Sequence, residues 1–180
     1  MKKQICVCAL AVVMVCATVS VHAGTRDGDS SRITRIIVNA ERTSLRIIYG
    51  VGKERVERSK AYGDTVGTPR ISRDRRTVGW AVLRIDGASY PYPEWLQFVQ
   101  RGVSRNLSCD QGMPWAWRFE GAGAVVLECA YPHGSGARRR ELVDIRTKRI
   151  FASFELPNEE SAVAGAPPWA KAPLFPSTVP

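Results

Sequence analysis

Between Thr77 and Leu83 the side chains alternate in bulk. Val78, Trp80 and Val82 fall on one face of an extended chain, while Gly79 and Ala81 keep the other face thin. The alternation returns 47 residues later, where Val125, Leu127 and Cys129 take the phase of Val78, Trp80 and Val82. The flanks repeat too. Arg70-Ile71-Ser72 and the turn Arg73–Arg76 precede the first run, and Trp117-Arg118-Phe119 and the turn Glu120–Gly123 precede the second. A period of 40–50 residues, each carrying three or four strands, is the spacing of β-propeller blades, but two units cannot close a propeller.

The expected fold is therefore all-β: an antiparallel meander of two blade-like repeats, about 69–108 and 116–155, packed as a sandwich or partial propeller. Ile33–Val38 and Leu45–Tyr49 read as two earlier strands, and 53–68 as a short edge strand and a loop. Residues 95–101 read as a strand, although Pro93 and Gly102 would also frame a short helix. Glu141–Ile145 and Arg149–Phe154 are strands around the turn Arg146–Lys148. The β domain spans 33–156.

Both ends of the chain differ from this body. Lys2 and Lys3, an apolar run from Ile5 to Val19, and Val21-His22-Ala23 form the charge, apolar and small-residue order of a cleaved export signal over 1–23. The run is too short to span a bilayer, which takes about 20 residues. Without these 23 residues, 157 remain with net charge +7, against +9 for the whole chain, and no membrane span is expected in them. Residues 24–32 read as a flexible lead. Residues 157–180 hold six of the eleven prolines and read as an extended tail in which Trp169 docks into a groove of its own domain or contacts a partner.

Three of the five cysteines lie in the signal, leaving Cys109 and Cys129. In an exported domain two cysteines most simply form one stabilising disulfide. The expected location is periplasmic or secreted.

Pro69-Arg70-Ile71-Ser72-Arg73-Asp74-Arg75-Arg76-Thr77-Val78-Gly79-Trp80 resembles a P-x-I-S-P-D-G-R-x-V-G-W stretch of small exported bacterial proteins that carry TolB-like or WD40-like blade segments. Tyr90-Pro91-Tyr92-Pro93, Trp117-Arg118-Phe119, His133-Gly134, Glu141–Asp144 and Pro167-Pro168-Trp169 follow in an order similar to the same group. The resemblance covers about 65–172 and departs at Arg73 and Arg75, which stand where the group has proline and glycine. It implies a β-rich periplasmic protein of a Gram-negative bacterium. It implies no activity, cofactor or catalytic residue.

The residues restrict the chemistry further. His133 is the one histidine after the signal, and no GxSxG elbow accompanies it, so a Ser-His or Cys-His nucleophile has little to work with. One histidine and two bridged cysteines are too few for a zinc site, and Asp27-Gly28-Asp29 lacks the glutamate of a calcium loop. No GxGxxG or GKS/GKT phosphate loop occurs. No cofactor or metal is expected, and the reading favours a binding protein over an enzyme.

The basic surplus is the remaining signal. Arg73, Arg75 and Arg76 cluster at one turn and Arg138, Arg139 and Arg140 at the end of a loop. With the two units side by side, both clusters would share an edge as an anion or partner patch, against the plainer reading of a solvated basic surface. Tyr90, Tyr92, Trp95 and Trp169 are candidate aromatic contacts, and Trp115 and Trp117 serve either as contacts or as core. Export argues against nucleic acid.

The leading function is an exported binding or interaction module of the cell envelope, for an envelope protein or an anionic envelope polymer. An inhibitor or accessory protein of an envelope enzyme is the second, with 84–95 or 130–138 as its protruding loop. A hydrolase using two of Asp74, Asp86, Glu94, Asp110, Glu120 and Glu128 is the third.

Overall fold

The alternation at Val78–Leu83 places a strand with two buried faces at the centre of the protein. The structure is a computed structural model and describes residues 30–59, 63–85, 90–131, 138–156 and 165–177. Among the described residues, thirteen strands lie in three open antiparallel sheets. The first joins β1 (Ile33–Val38), β2 (Ser44–Tyr49) and β3 (Glu54–Arg58) in that order.

The second sheet runs β4 (Thr65–Val66), β6 (Thr77–Arg84), β7 (Tyr92–Gln100) and β8 (Val103–Leu107), with β5 (Arg70–Ile71) also on β6. Strands β4 and β5 are one strand interrupted at Pro69, which has no N–H to donate. Of the stretch 95–101, residues up to Gln100 belong to β7 and Arg101 to the turn after it, so no helix forms there. The third sheet runs β12 (Ile150–Leu156), β11 (Arg138–Asp144), β10 (Ala124–Ala130) and β9 (Met113–Glu120), and ends on β13 (Phe175–Pro176) from the tail.

The sheets stack in chain order. Strand β6 is buried from Thr77 to Leu83. On one side Val78, Trp80 and Val82 meet Ile33, Leu45, Ile47 and Tyr49 of the first sheet. On the other, Ala81, Leu83, Leu96 and Phe98 meet Trp117, Val125, Leu127 and Cys129 of the third. Each repeat unit thus turns its bulky face toward the sheet that precedes it.

The thin face has a use. A Cβ on Gly79 would lie 2.9 Å from the Trp117 ring and closer still to Phe98. The glycine lets these rings and Phe119 nest edge to face, with centroids 5.3–5.9 Å apart.

The two units correspond with a one-residue slip from the alignment expected. Ile71 pairs with Val78, and Phe119 with Val125, so Phe119 matches Ile71 and Arg118 matches Arg70. The first turn holds one residue more, Arg75, at φ 59°. A side-chain hydrogen bond from Ser72 to Asp74 builds that turn locally. The first sheet is a further layer that the repeat did not include.

Cys109, just beyond β8, is bridged to Cys129 of β10, with Cα atoms 5.8 Å apart. The bond clips the second sheet to the third.

Tail residues 165–177 correct the expectation of an extended segment. Pro167 and Pro168 open a single helical turn, α1 (Pro168–Lys171), where proline's missing N–H costs nothing. Its carbonyls are held on the outer face of the third sheet. Arg118 Nη2 donates to Trp169 O at 2.9 Å, and Arg140 Nη1 donates to Ala170 O and, at 3.2 Å, to Ala172 O. Beneath them Val126 and Ala170 are fully buried.

Arg70, the counterpart of Arg118, stacks on the Phe175 ring at 3.9 Å. Ser177 then passes between the second and third sheets. A Cβ on Gly67 would lie 2.6 Å from its carbonyl oxygen, so only glycine admits the tail there. Among the described residues no helix is long and apolar enough to cross a membrane.

Candidate functional site

The two arginine clusters do not share an edge. The turn Arg73–Arg76 precedes β6, at the end of the stack where Gln100 Nε2 donates to Ala122 O of the β9–β10 turn. Arg138–Arg140 open β11 opposite the far end of β10, with Arg139 beside Cys129. They are strand residues, and each has an acidic partner. Arg138 lies 3.4 Å from Glu128, Arg140 3.0 Å from the same carboxylate, and Arg139 pairs with Glu141 and, at 3.6 Å, with Asp110. This corrects the expected joint patch: the second cluster is neutralised and holds the tail.

At the first cluster Arg75 is also committed. Its Nε and Nη2 donate at 2.8 Å to the carbonyls of Ile33 and Thr34, tying the turn to β1. Arg73 and Arg76 are exposed on the same turn. Beside it opens a cleft of about 480 Å³ between the first and second sheets, lined by Ser31, Tyr49, Lys53, Arg55, Arg101 and Gly102. The Arg101 N–H donates to Arg76 O, so turn and cleft adjoin.

Arg55 is fixed by Glu57, by Gly102 O and by Ser104 Oγ. The hydroxyl of Tyr49 is buried without a hydrogen-bond partner, and that burial holds its pKa above the ordinary phenol value, partly offset by Arg55. Lys53 and Arg101 are exposed on the rim.

Arg101 stands out among the basic turn residues. Arg42, Arg75, Arg101 and Lys148 all have φ between 49° and 61°, the left-handed region that non-glycine residues enter at a cost. Three of them reach across to another sheet. Arg42 donates to Val66 O at 2.7 Å, Arg75 to β1, and Lys148 to Asn106 Oδ1 at 2.9 Å. The Arg101 side chain makes no such bond among the described residues. It sits at the lip of the cleft, and among the described residues only its backbone N–H, donating to Arg76 O, ties it to a neighbouring turn.

The aromatic candidates separate. Tyr90 is half-exposed, Tyr92 and Trp95 are partly buried, and Trp95 packs on the core between the first and second sheets, near Arg84. Trp169 is partly buried in the docked tail. Trp117 is fully buried and belongs to the core.

Each candidate acid among the described residues has a donor or a cation beside it. Asp74 accepts from Ser72, Glu94 lies 2.7 Å from Arg84, Glu120 pairs with Arg118, and Asp110 and Glu128 bind the β11 arginines. Asp86, His133, Asp27, Asp29 and residues 1–23 lie outside the described residues, as do the tips of both candidate inhibitory loops.

Lys53, Arg55 and Arg101 escaped the sequence reading, because residues about 50 positions apart become neighbours only when the sheets stack. The turn Arg101-Gly102 between two strands was the available signal, since a two-residue hairpin demands positive φ. No protein-family model matches this chain. No curated protein matches it either.

Proposed function

We propose that this chain is an exported binding module of the cell envelope, and that the basic cleft between the first two sheets holds an anionic envelope polymer. The observation that carries the reading is Arg101. It is a strained residue on a tight turn whose guanidinium has no hydrogen-bond or ion-pair partner among the described residues and which lines the same cleft as Lys53. Backbone strain persists where the surrounding structure enforces it, and it concentrates at functional positions. The Arg73–Arg76 turn adds positive potential along the approach.

Export is supported by the order of residues in 1–23, and by the Cys109–Cys129 bond, because such bonds persist in oxidising compartments. Bound phosphates or carboxylates would sit between Lys53 and Arg101. The guanidinium would grip in a fork and the ammonium would act as a point charge.

The test uses the exported protein with vesicles containing lipopolysaccharide and, separately, soluble peptidoglycan fragments, over a salt series. Affinity should fall as salt rises. Arg101→Asn removes the charge and places a residue tolerant of left-handed backbone on the turn, so it should raise thermal stability while weakening binding by about fivefold, roughly 1 kcal/mol. Arg138→Gln, far from the cleft, should change affinity little. Equal affinity of Arg101→Asn and its parent for both polymers would sink the reading. Recovery of the protein from cytosol with Met1 intact would sink the export half.

A further inference from the structure

An open sheet offers unpaired backbone groups along each edge, and a monomer needs some device there to keep other chains away. Every sheet edge among the described residues has one, except β12. Strand β3 is charged at four of its five positions, Glu54, Arg55, Glu57 and Arg58. The start of β1 is bonded to the Arg75 turn, where Ile33 N–H donates to Arg75 O at 2.7 Å and Arg75 donates to the carbonyls of Ile33 and Thr34. Pro69 interrupts β4 and β5. On β8, Ser104 and Asn106 accept from Arg55 and Lys148 of the adjoining sheets. Strand β13 is two residues long and one of them is Pro176.

Strand β12 has no such guard. Its seven residues, Ile-Phe-Ala-Ser-Phe-Glu-Leu, include one charge and neither proline nor glycine. It pairs with β11 on one side and, among the described residues, with no strand on the other. Ile150 is 42% exposed and Phe151 54%, so its start turns large apolar side chains to solvent. That is the composition of a segment that pairs with its own kind.

The charges at its two ends select the occupant. The exposed residues Arg146, Lys148 and Arg149 lead into the strand. Lys148 is taken up by Asn106, whereas the Arg149 side chain has no partner among the described residues. Near the other end Glu155 is exposed, and the Arg139 opposite it already serves Glu141 and Asp110. The edge is thus basic where it begins, acidic near where it ends and apolar between. An antiparallel copy of the same edge sets each basic end beside an acidic one, while a parallel copy would set like against like.

We propose that β12 is the interface for a second copy of this chain, paired antiparallel about a twofold axis so that the third sheets of the two molecules continue into each other. The alternate backbone groups of β12 that β11 leaves unused supply the hydrogen bonds. The far edge of each sheet carries the short β13 with its proline, so pairing closes at two copies. The interface is independent of the basic cleft, which lies in the other seam.

The experiment combines sedimentation velocity with amide hydrogen exchange on the exported protein, over a concentration series reaching millimolar. The expected result is a monomer–dimer equilibrium without larger species, with exchange slowing at alternate amides of Ile150–Leu156 as the dimer fills. Phe151→Lys changes an exposed side chain, so it should keep the melting temperature of the dilute parent while weakening the dimer by about tenfold or more. Val56→Lys, on the β3 edge, should leave the dimer unchanged. Glu155→Arg should weaken it, and adding Arg149→Glu should restore it. A chain that stays monomeric throughout overturns the proposal, as does a dimer that survives Phe151→Lys. So does concentration-dependent protection at a different edge. A double variant no better than Glu155→Arg alone overturns the antiparallel pairing.

Discussion

The second sheet is packed on both faces, and its two seams are held by different means. Toward the first sheet, β6 presents Val78, Trp80 and Val82 to Ile33, Leu45 and Ile47, and the contact is stitched by arginine donors from Arg42 and Arg75 to backbone carbonyls. Toward the third sheet the same strand presents Gly79 and Ala81. The space they leave is filled by Phe98, Trp117 and Phe119, and a disulfide and the tail close the joint. One strand, read in alternate residues, thus supports a seam joined by hydrogen bonds and a seam locked by rings and a covalent bond. The side chain that β6 omits matters as much as those it carries.

The contrast can be broken most severely at Trp117. Trp117→Ala empties the centre of the locked seam and should cost about 3–5 kcal/mol in denaturant unfolding. A loss under 1 kcal/mol would mean that the three-ring nest is not the keystone of that seam.

Removing the clip with Cys109→Ser and Cys129→Ser together should cost about 3 kcal/mol, from the freed 20-residue loop of the unfolded chain. Hydrogen exchange should then speed up in the third sheet while the first sheet keeps its protection.

The stitched seam should yield in smaller steps. Arg75→Asn keeps a residue suited to the turn and deletes two donors to β1, for a loss of about 1 kcal/mol. Faster exchange should be confined to Ile33–Val38, and a uniform loss across all three sheets would contradict the distinction.

The smallest effect separates two carboxylates on one strand. Burial, opposed by Arg139, raises the pKa of Glu141. The native state therefore binds the extra proton just above the ordinary glutamate range, and stability falls as pH rises through that window. Asp144 is lowered first by the Thr147 N–H, at 2.6 Å, and by the Thr147 hydroxyl. Its contribution is present above the ordinary aspartate range and is lost as pH falls below it. In thermal melts across pH, Glu141→Gln should flatten the first slope and Asp144→Asn the second. An unchanged profile in either variant would remove that assignment.

The strands were legible because their signal is local. Ile33–Val38, Leu45–Tyr49 and Thr77–Leu83 carry β-branched or alternating residues between turn formers, and the structure gives strands at each. The Cys109–Cys129 pairing followed from there being two cysteines outside the signal reading. The one-residue slip between the units was hidden because turn length depends on Arg75 adopting left-handed backbone, which composition does not announce.

Arg138–Arg140 looked like a loop end because three cations rarely begin a buried strand. Their partners Glu128 and Asp110 are distant in sequence, and Glu141 reaches Arg139 only because residues two apart share one face of the strand. Glu141 itself did carry a signal: Val143 and Ile145, read backward with period two, place it on the core face. The basic cleft left a weaker trace, the Arg101-Gly102 turn, since Tyr49 and Lys53 of the first sheet meet Arg101 only through sheet stacking.

The seating of residues 165–177 on β9 imposes an order on synthesis. A nascent chain emerging amino end first can pair β9 through β12 once Leu156 is out. It must still wait for Ser177 before the free edge of β9 is covered and the donors of Arg118 and Arg140 find their carbonyls. During that interval an unpaired strand edge and the apolar Val126 face the surroundings, the combination that invites association with another chain. The polypeptide is therefore most open to association after its cores are assembled, in the delay before its last turn of helix lands.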